Sequence, residues 1–511
     1  MTDASLYPSH VPQVVICLDG EINPTYANMA RLRIAPSPTG PFHIGTARTA
    51  LFNYLYAKQH NGSFIVRIED TDTERSESRY EREILEGLAW LGIEPDEGPL
   101  PEDGEVGAYG PYRQSERMNQ GVYRPYIQQL LDSGWAYYDD TSKEELDKRR
   151  EAAEQAGEPF VFRGNPYKQN IDYDQAVIRF RSPEDKAIFW RDQVRGEVRF
   201  DSNLLGDFVI AKGLDHPLYN LAVVIDDALM EITHIIRGED HVSNTPKQML
   251  LNEMLGFTKK TYAHIPLILG EDKSKLSKRH GAVTVSWYRE QGYLPEAMVN
   301  FLALLGWREP NDREMYSLDE LIDAFRVKRI QKSGAVFDYT KLDNLNARYM
   351  KALPADEKYR LGKKFLEDNG WNVESLSEHQ LQVLIDVECQ RIHTFGEMGT
   401  ETRRFWNLED YPLERLRWKG TELSVIKDHL ERIEAFLEDV HGSAFEPEYL
   451  ETTIKQLLEQ QDIPRGEVLW PLRVALSGRE QSPSPFEIAT ILGKTESLRR
   501  IRLAKNQIQE V

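Results

Sequence analysis

His43 stands in a run that reads R-I-A-P-S-P-T-G-P-F-H-I-G-T over residues 33–46, and K-L-S-K-R follows far downstream at residues 275–279. Both segments suit phosphate. A helix starting near His43 presents free N–H groups and the positive end of its dipole, the ordinary seat of an anion. Gly45 leaves room for a flat base against the backbone, and His43 can donate to a phosphate oxygen whose charge grows in a transition state. The second segment sets Lys273, Lys275, Lys278 and Arg279 around Leu276, between Gly270 and Gly281, and reads as a mobile basic loop. Lys275 and Lys278 are point charges able to follow a departing pyrophosphate. Met alone, the first segment reads as a helix-start cap and the second as a solvated turn. Together they predict chemistry on a nucleoside triphosphate.

The surrounding elements must position these groups. Residues 32–35 form a short strand, the Pro- and Gly-rich stretch 36–41 excludes regular structure, and a helix then carries Ala47, Ala50, Leu51, Tyr54 and Leu55 on one face until Asn61-Gly62. A buried strand over 64–68 ends in Glu69-Asp70. This strand–helix–strand unit has the length of a parallel crossover, whose ligands bind beyond the carboxyl ends of the strands. Arg33, Ser37, His43 and Glu69 lie at that rim. Runs at 221–225 and 232–236 read as strands of a second half-sheet, placing Arg237, Gly238, Glu239 and Asp240 on a strand-to-helix turn. Thr245 then reads as a helix cap, with Pro246 in the first turn and Gly256 past the end.

Between about 112 and 213 the periodicity is mixed, with a helix over 117–132, a charged stretch over 143–158 and strands at 177–180 and 198–200. Beyond the basic loop, residues 287–307 are helical with a restart at Leu294-Pro295. From about residue 341 helical patterns prevail, punctuated by Asn369-Gly370, Pro412 and Pro464.

Five segments carry a family resemblance: R-I-A-P-S-P-T-G (33–40), F-I-V-R-I-E-D-T-D (64–72), G-P-Y-R-Q-S-E-R (110–117), I-I-R-G-E-D-H (235–241) and the lysine loop. H-I-G-T resembles the HIGH signature and K-L-S-K-R resembles KMSKS, so the chain resembles the class I aminoacyl-tRNA synthetases of bacterial glutamyl type. Thr46 departs from the second histidine of HIGH but still offers a hydroxyl. The resemblance implies an α/β fold: a Rossmann-type catalytic domain, an inserted α+β connective domain holding the tRNA acceptor end, and an all-α C-terminal anticodon-binding region. The expected division is an extension over 1–28, Rossmann halves over 29–111 and 214–270, the connective domain over 112–213, the KMSKS loop and stem-contact domain over 271–340, and the anticodon region over 341–511.

The same resemblance implies site residues. His43, Gly45, Thr46, Asp240, Lys275, Leu276, Ser277, Lys278 and Arg279 would bind ATP, with His43, Lys275 and Lys278 catalytic. Arg33, Ala35, Ser37, Glu69, Tyr219 and Arg237 would bind glutamate, Arg33 and Tyr219 at its side chain and Ser37, Glu69 and Arg237 at its backbone. Charge complementarity agrees, since two carboxylates and one ammonium need two cationic anchors and one anionic one. The bland alternative is an Arg33–Glu69 cross-strand salt bridge. A family contact falls on Val223, where some relatives have asparagine, and is not carried over. Arg391 would match an arginine associated with rejecting the glutamine anticodon.

The implied reaction has two steps. Glutamate attacks ATP, assisted by Mg²⁺, giving glutamyl-adenylate, and the terminal ribose hydroxyl of tRNA(Glu) takes the acyl group. Activation is expected to need bound tRNA. A non-discriminating enzyme that also charges tRNA(Gln) is the alternative. Structural zinc is not expected, because the connective segment has no cysteines and no His/Asp/Glu group at zinc-ligand spacing.

Composition fits without establishing this. A chain of 511 residues, 40% apolar and 29% charged, should form several globular domains. Its two cysteines, Cys17 and Cys389, exclude a disulfide framework and fit a reducing cytosol. No stretch approaches the apolar length of a membrane span. Net charge is −20, yet basic clusters at 273–279, 326–332, 415–419 and 499–505 could line a track for RNA. Apart from the first, each reads singly as a solvated face. Residues 1–28 carry no Lys or Arg and no signal-peptide core, and Met29 is expected to be the physiological start, the preceding segment being an over-extended reading or a disordered extension. A cytoplasmic monomer is the expectation.

Overall fold

The structure, a computed structural model, describes residues 29–72, 75–102, 104–277, 279, 281 and 283–509. The extension expected over 1–28, and Lys278, lie outside the described residues. Strand Arg31–Ile34 pairs in parallel with Ser63–Val66, with Arg33 opposite Ile65. Helix Ile44–Gln59 makes the crossover, burying Ile44, Ala47, Ala50, Leu51 and Leu55. Its end needs particular residues. Asn61 takes a left-handed φ of 49°, and a Cβ on Gly62 would lie 1.8 Å from the Ala30 carbonyl oxygen, so the return to the sheet leaves no room for a side chain there.

A second parallel pair joins His234–Gly238 to Thr261–Ile265, with Arg237 opposite His264. The two pairs meet where the Thr233 N–H donates to the Arg31 carbonyl at 3.0 Å, and Asn53 on the crossover helix donates to the Ile236 carbonyl at 3.0 Å. Arg33 and Arg237 therefore sit near the carboxyl ends of adjacent strands, where α/β sheets bind ligands. The domain is a Rossmann-like parallel sheet.

One expected strand is a helix. Residues 221–225 belong to helix Tyr219–Leu229, in which every residue from 221 to 227 is buried. An apolar run covered on all sides carries no period, so its β-branched Val223, Val224 and Ile225 imitate a strand. The helix packs between Phe208 and Ile210 of the insert and Leu250 and Leu251 of helix Thr245–Met254. Thr245 is correspondingly the first residue of its helix rather than the cap, which is Asn244, and its hydroxyl is engaged elsewhere. The helix expected over 117–132 is two, Gln114–Asn119 and Arg124–Asp132, separated around Gly121 at φ 70°.

The insert is built on a four-stranded antiparallel sheet in the order His216–Pro217, Phe208–Gly213, Val177–Phe180, Ala136–Asp139, beside the hairpin Ala187–Asp192/Gly196–Asp201. Its outer strand, His216–Pro217, turns back to pair antiparallel with Phe208–Gly213. From Tyr339 onward the described chain is helical, ending in Lys494–Gln509; helix Tyr339–Ala352 puts Leu342 and Leu345 into the core of the parallel sheet, and the later helices pack around a second core that also takes in Met350, Leu294 and Ala297. No described helix is long and apolar enough to cross a membrane.

Candidate active site

A cavity of about 440 Å³ opens at the carboxyl rim of the parallel sheet. Twelve expected site residues line it: Arg33, Ala35, Ser37, His43, Gly45, Thr46, Glu69, Tyr219, Arg237, Asp240, Lys275 and Leu276. They come from both half-sheets and the lysine loop.

The sheet end of the cavity is an ion-paired set. The Arg33 Nε donates to Asp227 Oδ1 at 3.0 Å, and Arg67 spans Asp227 Oδ1 at 2.7 Å and Glu69 Oε1 at 3.0 Å. Neither Arg67 nor Asp227 was expected. Burial alone would raise the Asp227 pKa, but the Arg33 and Arg67 guanidiniums outweigh it and hold the group at about 2. On Glu69 the balance falls the other way: burial outweighs the pull of Arg67 and Arg33 and raises its pKa. The Arg33–Glu69 salt bridge is not formed: each has a different partner, and both reach the cavity wall.

Arg237 differs. It is 5% exposed, and its partners are neutral groups: Nη1 to Gln248 Oε1 at 2.7 Å, Nη2 to Thr245 Oγ1 at 2.8 Å and Nε to His264 Nε2 at 3.1 Å. Burial lowers its pKa. Between the arginines, the Tyr219 hydroxyl meets His241 Nδ1 at 3.0 Å, and burial beside Glu69 pushes the phenol up to about 12.

At the other end, His43 is the N-cap of Ile44–Gln59, its Nδ1 accepting from the Gly45 N–H at 2.9 Å. That bond fixes the neutral tautomer, leaving Nε2–H as the donor. Burial, and then Lys275, lower its pKa and keep the ring neutral. The free N–H groups expected at this helix start are taken: Ile44 N–H by the Val283 carbonyl at 2.9 Å, Gly45 by His43 Nδ1 and Thr46 by the His43 carbonyl at 2.9 Å. The groups left at this end of the cavity are the side chains of His43, Thr46 and Lys275, beside the positive end of the helix dipole. Lys275 is 3.5 Å from Asp240, its side chain 64% exposed. A bridge between Leu269 and Lys275 and a bond from the Leu276 N–H to the Ile268 carbonyl fold the loop back, burying Leu276 beneath it.

Two residues expected at the nucleotide lie off the cavity wall, and Arg391 was expected elsewhere. Arg279 turns onto its own loop, donating to Ser274 Oγ at 2.7 Å, and neither it nor Ser277 lines the cavity. Arg391 lies in the helical region, its Nη1 donating to the Val387 carbonyl at 2.7 Å with Glu487 3.6 Å from Nη2. The sequence reading also missed Arg48 and His241, both on the cavity wall. His241 closes the quoted I-I-R-G-E-D-H segment, and Arg48 stands two residues beyond H-I-G-T, so proximity to a motif was the available signal.

A family model described as tRNA synthetases class I (E and Q), catalytic domain, matches residues 29–344, and one described as an anticodon binding domain matches 357–505. The glutamate–tRNA ligase of Natranaerobius thermophilus is 40% identical over 497 residues, covering 94% of this chain and 99% of the relative. That of Desulforamulus reducens is 41% identical over 490 residues, covering 93% and 99%. Among solved structures, a glutamate tRNA ligase from Elizabethkingia meningosepticum in complex with its amino acid superposes with a TM-score of 0.82 at 32% identity, covering 94% of this chain and 100% of that one. With nearly the whole chain matched in sequence and in fold, it belongs to the class I aminoacyl-tRNA synthetases, in the glutamate–tRNA ligase family.

Proposed function

We propose that this chain joins L-glutamate to tRNA(Glu) through a glutamyl-adenylate, with ATP as the activating substrate. The observation that carries this reading is a single cavity with carboxylate-binding arginines at one end and His43 and Lys275 at the other. Arg33 and Arg67 balance Asp227 and Glu69, which leaves the charge of Arg237 over; glutamate, with two carboxylates and one ammonium, supplies the matching net negative charge. Arg33 and Tyr219 are assigned to its side-chain carboxylate, and Ser37, Glu69 and Arg237 to its backbone, beside Ala35.

In the first step an α-carboxylate oxygen bonds to the α-phosphorus of ATP, and the bond to the bridging oxygen of pyrophosphate breaks, that oxygen keeping the electron pair. The His43 Nε2–H donates to the phosphate oxygens, Gly45 and Thr46 sit under the nucleotide, and Lys275, with Lys278 from the K-L-S-K-R pattern, follows the pyrophosphate. In the second step the terminal ribose hydroxyl of tRNA attacks the acyl carbon and AMP leaves. Neither step needs a protein nucleophile. Mg²⁺ fits as an ion carried by the triphosphate, whose charge it neutralises: Asp240 faces Lys275, and among the described residues no three His, Cys, Asp or Glu side chains converge to hold a metal.

ATP/pyrophosphate exchange tests the reading. Glutamate-dependent exchange in the presence of tRNA(Glu), weak or absent without it, is the expected result; none with tRNA present overturns it. Lys278→Ala should lower single-turnover adenylate formation by about 10²-fold or more with the fold intact. An unchanged rate removes Lys278 from the assignment. Charging of purified tRNA(Glu) but not tRNA(Gln) would support Arg391 as an anticodon discriminator, and equal charging would support the non-discriminating reading.

A further inference from the structure

Arg237 is held by a shell that offers it no charge. Gln248, Thr245 and His264 are 2%, 0% and 0% exposed, and each accepts one hydrogen bond from a different guanidinium nitrogen. The Tyr262 ring lies 5.7 Å from the guanidinium carbon. A buried arginine ordinarily takes a carboxylate partner, as Arg33 takes Asp227 nearby. Here the carboxylate behind the shell, Asp192, is one residue removed, joined through His264. It accepts from the backbone N–H groups of Val194, Arg195 and His264 at 3.0, 3.0 and 3.1 Å, and from His264 Nδ1 at 2.6 Å. Its proton-bearing partner fixes the ring: with Nδ1–H given to Asp192, His264 Nε2 is an acceptor for the Arg237 Nε–H.

The orientation of Gln248 follows the same logic. Its Oε1 faces Arg237 Nη1, so its Nε2 points away, donating to Asn220 Oδ1 at 3.1 Å. Arg237 has five N–H bonds and gives three to this shell, leaving one on each Nη, and the residue lines the cavity. That pair matches the two oxygens of a carboxylate.

We infer that Gln248, Thr245 and His264 are positioning residues that set affinity for the substrate α-carboxylate by being neutral: they fix the fork of Arg237 while adding no anion that would compete for it before a substrate carboxylate arrives. The inference rests on the glutamate-activating function proposed above. It predicts that an internal carboxylate in the shell competes with the substrate, whereas an apolar replacement merely loosens the fork.

Three variants separate those effects. Gln248→Glu keeps the shape and puts an anion against Nη1. Gln248→Met removes the bond without adding charge. Thr245→Asp puts the anion against Nη2 at the first turn of a helix, where the dipole favours aspartate, so it guards against a folding failure at position 248. In tRNA-dependent ATP/pyrophosphate exchange, both carboxylate variants should raise KM for glutamate about a hundredfold while kcat stays within about threefold, and Gln248→Met should raise KM by about tenfold or less. Thermal melting confirms that each variant is folded. Equal KM for Gln248→Glu and Gln248→Met, together with a normal KM in Thr245→Asp, would overturn the inference while leaving the function in place. Failure of the unaltered chain to activate glutamate would overturn both.

Discussion

At the scale of a residue, the two ring nitrogens of His43 are separable: Nδ1 caps the crossover helix through the Gly45 N–H, and Nε2–H is the donor we propose for phosphate. Asparagine caps helices well but has no group where Nε2 stands. His43→Asn is therefore expected to keep the melting temperature near that of the parent while lowering adenylate formation by about 10²-fold, and His43→Ala to lose about 1 kcal/mol of stability as well. Equal rates for His43→Asn and the parent would remove the phosphate task. His43 was legible because its neighbours are Pro, Gly and Thr in a turn that nothing else explains. The counter-ions were not. Asp227 lies 194 positions from Arg33 and 160 from Arg67, and a run such as I-D-D-A gives no hint that its second aspartate closes a site on another strand.

Among elements, the strand–turn–helix–strand unit was readable because its helix is periodic and its turn is full of Pro and Gly, whereas helix Tyr219–Leu229 was hidden by burial on every side. How the elements lock together was also beyond the sequence. Arg48, 3% exposed, donates from Nη1 to the Leu305 carbonyl at 3.0 Å and from Nη2 to the Pro266 carbonyl. It thereby ties the H-I-G-T helix to the end of helix Pro295–Leu304 and to the segment leading into the lysine loop. Burial lowers its pKa to about 10, still well above neutrality, so it stays charged beside carbonyl dipoles. Arg48→Met would leave both carbonyls without this donor. It is expected to cost about 2–4 kcal/mol in denaturant unfolding and, by letting His43 and Lys275 shift relative to each other, about tenfold in adenylate formation. A parent-like unfolding curve would contradict the staple.

Across the whole molecule, the order of domains was legible from motif spacing, but their docking depends on backbone contacts. The Phe395 and Gly396 N–H groups donate to the Gly292 and Gln291 carbonyls, and a Cβ on Gly292 would come within 2.5 Å of the Gly396 nitrogen, so the helical body is seated against one tight turn of the catalytic side. The two bodies should nevertheless respond differently to acid. His43, His234, His241 and His264 all belong to the catalytic side, and burial lowers the pKa of each from 6.5, that of His241 to about 4. A histidine held neutral in the fold binds its proton more readily when unfolded. Its contribution is complete above pH 6.5 and declines as pH falls toward the folded value. Asp227 and Asp192, held at about 2 against an ordinary 3.8, add their losses only below pH 3.8. In the helical body, Glu434 and Glu496 sit below their ordinary 4.5 and hold until pH drops through it, while burial raises Glu388, which favours the fold on acidification. Between pH 6.5 and 4.5 the four histidines weaken the catalytic side, opposed there by Glu69, whose raised pKa favours the fold on acidification as that of Glu388 does in the helical body. Calorimetry across that range should show the catalytic transition moving down while that of the helical body does not fall, resolving two steps from one; a single transition moving as a unit would mean that the docking turn and helix Tyr339–Ala352, which enters both cores, couple the two bodies.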